Sequence, residues 1–261
     1  MDSGESLVAD VPPGAAALVD ATAGRAAAAF FGAASYARRK RSLHPDGAAF
    51  EAFLSIDPPR PIGARLLDRP DESRCVVRLS RAVGLPERVR DILGLAIRVL
   101  DAGGRTRQDL LFSTVAGDGR LGRHVLAPAG SFAEQPLSTI LPYRTAGARV
   151  TLLARGAGPP PAAVRTLESA AEAFAAGELR FVVLVTDGRH VTGFGHLCGG
   201  PRLPAEESEA LRFNPYHAEA DLQPTGLLNA ARRRAYAASQ RRRAGRPRRA
   251  GRFRSVGATS G

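Results

Sequence analysis

Two places in this chain bring together side chains whose types and spacing could do chemistry. Arg232 and Tyr236 stand four residues apart in Arg232-Arg233-Arg234-Ala235-Tyr236. On a helix that spacing sets them on one face, where a guanidinium can keep the phenol ionised. An arginine-rich helix also contains such a pair by accident, and a lone tyrosine is most often a packing residue. His44 follows Arg41 by three residues and precedes Pro45. Imidazole exchanges protons near neutral pH, although a histidine before a proline reads, taken alone, as a turn residue. His190 and His196 lie six apart on one strand-like run, hence on one face. With no acidic or third histidine partner near them, metal binding is not expected there. Cys75 and Cys198 form no CxxC pair. The glycines at 193, 195, 199 and 200 do not open a helix, so no nucleotide loop is expected, and GxSxG, HExxH and kinase-type sets are absent.

Three stretches between residues 41 and 98 carry a more specific pattern. Arg41-Ser42-Leu43-His44-Pro45-Asp46-Gly47 has the form RxxHxxG. Val77-Arg78-Leu79-Ser80 is close to an RFS strand. Arg90-Asp91-Ile92-Leu93-Gly94-Leu95-Ala96-Ile97-Arg98 is close to an RDxxGxAxK run, followed by a turn over 101–104. In order, type and spacing these stretches resemble the catalase-like haem proteins, as a small catalase-related member. The resemblance implies haem b as cofactor, peroxide or an organic hydroperoxide as substrate, and a role for each matching residue. His44 is the distal group that moves a proton from the near to the far peroxide oxygen. Ser80 hydrogen-bonds and orients it, and Arg41 and Arg78 neutralise the haem propionates. Tyr236 is the proximal ligand of the haem iron, supported by Arg232 one turn earlier and followed by Arg243 seven residues on.

The chain departs from the family pattern after that. Where catalases carry a distal asparagine, Asp109-Leu110-Leu111-Phe112-Ser113-Thr114 offers Ser113 or, with a one-residue shift, Thr114. A hydroxyl can still hydrogen-bond peroxide. The PxFF segment is missing, and Phe and Tyr, with no Trp, make only 6% of the residues, a thin supply for an aromatic haem pocket. A haem-free catalase-fold binding or scaffold protein therefore stands beside the enzyme reading.

The elements that must position these residues follow from apolar periodicity. Residues 50–56, 75–79, 97–100, 150–153 and 179–186 are strand-like, and 191–198 can pair with 179–186 across Asp187-Gly188. These runs predict an antiparallel sheet or barrel. Residues 161–177 begin with proline, repeat apolar residues at helical spacing and end in glycine, which predicts a helix. A further helix is expected over 227–243, and an alanine-rich helical arm over 15–39 able to pack on this domain or on another subunit. The expected fold class is α+β, a catalase-like antiparallel β-barrel with flanking helices, organised as 1–38 tail and arm, 39–243 domain and 244–261 basic tail.

At 261 residues and 44% hydrophobic content there is ample core for such a domain. The net charge of +12 is uneven: the stretch from Arg241 to Arg254 holds eight arginines and no acid, so the body is only mildly basic. That tail contains Gly245-Arg246-Pro247-Arg248, similar to the core of minor-groove AT-hook peptides, and leaves a nucleic-acid-associated role as a third reading. Basic tails also bind any polyanion weakly. The longest apolar run near the N-terminus, 26–31, is far too short for a membrane span and has its basic cluster on the wrong side for a secretory signal. Two cysteines and no signal give a cytoplasmic expectation.

Overall fold

In the computed structural model, residues 47–82 and 85–225 are described. The expected arm over 15–39, the helix over 227–243 and the basic tail lie outside them. Ten strands are present: β1 Gly47–Ile56, β2 Asp71–Arg81, β3 Leu93–Leu100, β4 Thr106–Thr114, β5 Leu137–Ser138, β6 Tyr143–Arg144, β7 Arg149–Ala157, β8 Arg180–Thr186, β9 Val191–Arg202 and β10 Gln223–Pro224. Two helices, α1 Leu167–Ala175 and α2 Ala205–Ala210, accompany them.

Period-two alternation forms the wall. On β2, Cys75, Val77 and Leu79 are buried while Arg74, Val76, Arg78 and Ser80 face outward; on β3, Leu93, Leu95, Ile97 and Val99 alternate in the same way with Gly94, Ala96, Arg98 and Leu100. Strands β1-β2-β3-β4-β5-β7-β8-β9 pair in that order, all antiparallel, and β9 returns to β1, closing an eight-stranded barrel. An eight-stranded barrel leaves an interior that side chains fill. Here Phe50, Leu54, Leu79, Ile97, Leu110 and Leu152 are wholly buried, each contributing roughly 1.5–3 kcal/mol by leaving water. The short strands β6 and β10 form a ribbon on the β7 edge.

Helix α1 sets Phe174 edge-on to Phe50 at 5.1 Å and against Phe181 at 5.9 Å. A side chain at Gly199 would strike the Phe174 backbone, so β9 needs glycine there for the helix to seat. The helix starts later than the expected residue 161. Residues 161–164 form a turn, and Thr166 caps Leu167: its Oγ1 accepts from Ser169 N at 2.9 Å while Ser169 Oγ accepts from Thr166 N at 3.1 Å. A reciprocal capping box outweighs a proline as the start signal. The end is as expected, with Gly177 at φ +72°.

The expected hairpin across Asp187-Gly188 is present between β8 and β9. A bulge at Phe194 reverses the side-chain parity of β9, because Gly193 pairs with Leu184 but Gly195 with Val183. The expectation that His190 and His196 share a face is thereby overturned.

Candidate functional site

The residues singled out on β2, β3 and β4 meet on the outer wall of the barrel. Antiparallel partners point to the same side, and the register aligns Gly47 with Ser80, Ser80 with Gly94, Gly94 with Ser113 and Ser113 with Ser138. No side chain in that row extends beyond a hydroxyl. The next row along the wall is Ala49, Arg78, Ala96 and Leu111. Arg78 thus rises between two alanines, and its guanidinium folds back over Gly47, where a Cβ would stand 2.7 Å from Nη2. Burial holds the Arg78 pKa below its usual value; Arg212 pushes the same way and Glu209 opposes it. Ser80 lays its hydroxyl over Gly94, 3.5 Å from the Gly94 carbonyl oxygen.

Ser113 and Thr114, alternative occupants of one role, are separated by the fold. Thr114 points into the barrel and is fully buried. Its Oγ1 accepts from Leu93 N at 3.1 Å and donates to Ala127 O at 2.7 Å. Both functions of the hydroxyl are therefore engaged by backbone, and Thr114 does not join the outer row. Ser113 does. Arg41, His44, Arg232, Tyr236 and Arg243 lie outside the described residues.

Below these rows a buried carboxylate anchors a strap over the same wall. Asp109, wholly buried, accepts from Arg98 Nε and Nη2, both at 2.8 Å, and from Asn214 N at 2.7 Å. Arg98 also donates to Arg212 O at 2.5 Å and lies 4.9 Å above the Phe213 ring. The hydrogen bond to Asp109 raises the Arg98 pKa. Further along, Gln108 accepts from Glu219 N and Arg107 donates to Glu219, so the chain over 211–219 is tied to β4 at several points.

The aspartate of the Arg90-Asp91 run also proves structural. Asp91 pairs with Arg81 at 3.7 Å, both side chains almost fully buried, while Arg90 pairs with Glu134 on the surface. Arg81 then donates to Val89 O at 2.7 Å, fastening the connection between β2 and β3. Sequence reasoning passed over Arg81, although the parity of Cys75, Val77 and Leu79 places it indoors.

Haem is a flat ring carrying two anionic propionates. The outer row is free of bulk and carries a cation at its edge, a floor that suits one side of a flat, anionic group. Among the described residues no group of three His, Cys, Asp or Glu could hold a metal ion; the ligand expected from the sequence, Tyr236, lies outside them.

No family model matches the chain, and no curated protein matches it in sequence. Among solved structures it is similar to catalase A from Saccharomyces cerevisiae, with a TM-score of 0.55 and 12% identity, over 79% of this chain and 63% of that one. The barrel is catalase-like. The similarity at that identity is one of fold alone, and the chain spans less than two thirds of the length of that catalase. Among the described residues no helix is long and apolar enough to cross a membrane.

Proposed function

We propose that this catalase-like chain binds haem b against the outer wall of β1–β4 and consumes hydrogen peroxide or an organic hydroperoxide. The observation that carries the proposal is the row Gly47, Ser80, Gly94 and Ser113 with Arg78 folded over it. Such a surface admits a flat ring and offers a planar cation to a propionate. Bound haem would supply the redox centre. Arg78, with Arg41, holds the carboxylates; Ser80 fixes the tautomer and orientation of His44; His44 carries the proton between the peroxide oxygens; Ser113 supplies a hydrogen bond to the substrate. Tyr236, kept ionised by Arg232 and followed by Arg243, is the iron ligand.

A second reading, a haem-free binding or scaffold protein, is favoured by one feature. Thr114 is committed to backbone and Ser113 brings a single hydroxyl where the catalase pattern has an amide, so the distal chemistry is reduced.

Titration of the full chain with haem, followed by absorption, separates the two. The enzyme reading expects a saturable Soret band that shifts in Tyr236→Phe and weakens in Arg78→Leu, with peroxide loss dependent on His44. Absence of a Soret band leaves the scaffold reading.

A further inference from the structure

The outer wall holds a second concavity, further down the strands. Phe53 of β1, Val76 of β2 and Leu100 of β3 form its floor, and Leu203 and Leu211, on either side of α2, form its roof. The cavity measures about 230 Å³. That is below the roughly 300–1,000 Å³ of sites for drug-sized ligands, and suits a small metabolite. Phe53 is 44% exposed, so an aromatic face is left available in an otherwise aliphatic hollow.

Three ionisable side chains ring the hollow: Glu51, Arg74 and Glu207. The strand register holds two of them in place, Arg74 opposite Phe53 and Glu51 opposite Val76, while Glu207 comes from α2. Nearby charges are spent on each other, Arg98 on Asp109 and Arg202 on Glu168. Glu51, Arg74 and Glu207 make no ion pair or side-chain hydrogen bond with the described residues. Two carboxylates and one guanidinium around an apolar hollow disfavour a lone anion such as a fatty acid. A simple amine would leave Arg74 unanswered. A zwitterion answers all three.

We propose that this cavity binds an apolar α-amino acid. Its ammonium lies between the carboxylates of Glu51 and Glu207, its carboxylate meets Arg74, and its side chain fills the hollow over Phe53. The site is separate from the peroxide site: Val76 lies four residues from Ser80 on the same strand, about 13 Å along the wall. Binding therefore needs no haem and stands or falls independently of the peroxidase reading.

Calorimetry on the haem-free full chain with L-phenylalanine and L-leucine tests it. One saturable site is expected, weakened about fivefold in each of Arg74→Gln and Glu207→Gln, as for partly solvated ion pairs. It is lost in Leu203→Trp, which fills the hollow, while the circular dichroism spectrum stays unchanged. Phenethylamine and 3-phenylpropionate, each lacking one charge, should bind more weakly than L-phenylalanine. The proposal is overturned if either analogue binds as tightly as the amino acid, or if Leu203→Trp leaves binding intact. No saturation up to about 10 mM, the weak limit for so small a ligand, overturns it as well.

Discussion

The Ser80 hydroxyl occupies the space that a Cβ on Gly94 would need: the two would stand 2.7 Å apart. Glycine at 94 thus decides which way Ser80 can point. Gly94→Ala should turn Ser80 to another rotamer at a cost under about 1 kcal/mol, because a hydroxyl rotates easily and alanine stiffens the unfolded chain. The denaturation midpoint should barely move. On the proposed function, haem affinity and peroxide turnover should fall together, which absorption titration and initial rates will read.

Gly199→Ala makes the opposite case. The obstacle is the Phe174 backbone rather than a side-chain tip. Helix α1 must back away from β9, and the edge-on contact of Phe174 with Phe50 opens. A loss of roughly 1–3 kcal/mol is expected, as in other overpacked cores, visible as a lower urea midpoint with an unchanged slope.

Removing Asp109 should release the strap over 211–219. Asp109→Ala leaves Arg98 without its carboxylate and Asn214 N without its acceptor. Breaking a buried pair from one side costs about 3–5 kcal/mol. Limited proteolysis should then cut within 211–219 in the variant before the barrel itself is attacked.

The two thiols should differ sharply. Burial pushes Cys75 up to about 12, and its side chain lies inside the barrel. Cys198 is half-buried on the outer face. A disulfide reagent at pH 8 should label one thiol in the native protein and the second only on unfolding; Cys198→Ser should remove the fast phase.

Acid should weaken the β8–β9 hairpin in a defined window. Backbone N–H groups of His190 and then Arg189 hold the Asp187 carboxylate at about 2, against an ordinary 3.8. A lowered pKa means that the folded state favours the charged form. Its contribution is complete above about pH 4 and vanishes as the pH falls through 2. The stability gap between wild type and Asp187→Ala, measured by thermal unfolding, should be constant from pH 7 to 4 and close by pH 2.

Much of the barrel was legible because β2 and β3 largely alternate between buried apolar residues and others, and because β8 is a short unbroken apolar run between Gly177 and the Asp187-Gly188 turn. The Asp187-Gly188 turn was equally plain. Strand β4 was missed: Gln108 and Asp109 are both buried, one facing the core and one under the strap, and this masks its alternation. β5 consists of two residues and depends on its neighbours rather than on its own sequence. The outer row could be guessed in part from Arg78, Ser80 and Gly94. Its extension to Gly47 and Ser113, and the exclusion of Thr114, needed the register, since a shift of one residue reverses the face. The hollow around Phe53 was out of reach, because it brings together three strands and a helix whose sequence separations no local pattern records.

Closure of the barrel also constrains how the chain can reach its native state. The first strand described here hydrogen-bonds to the ninth, so a nascent polypeptide holds β1 and β2 for most of its synthesis with one flank of β1 unsatisfied. Pairings so distant in sequence form slowly, and an open strand flank is adhesive to other chains. Yield during expression should therefore depend on temperature and on chaperone supply more steeply than the finished molecule's resistance to denaturant would suggest.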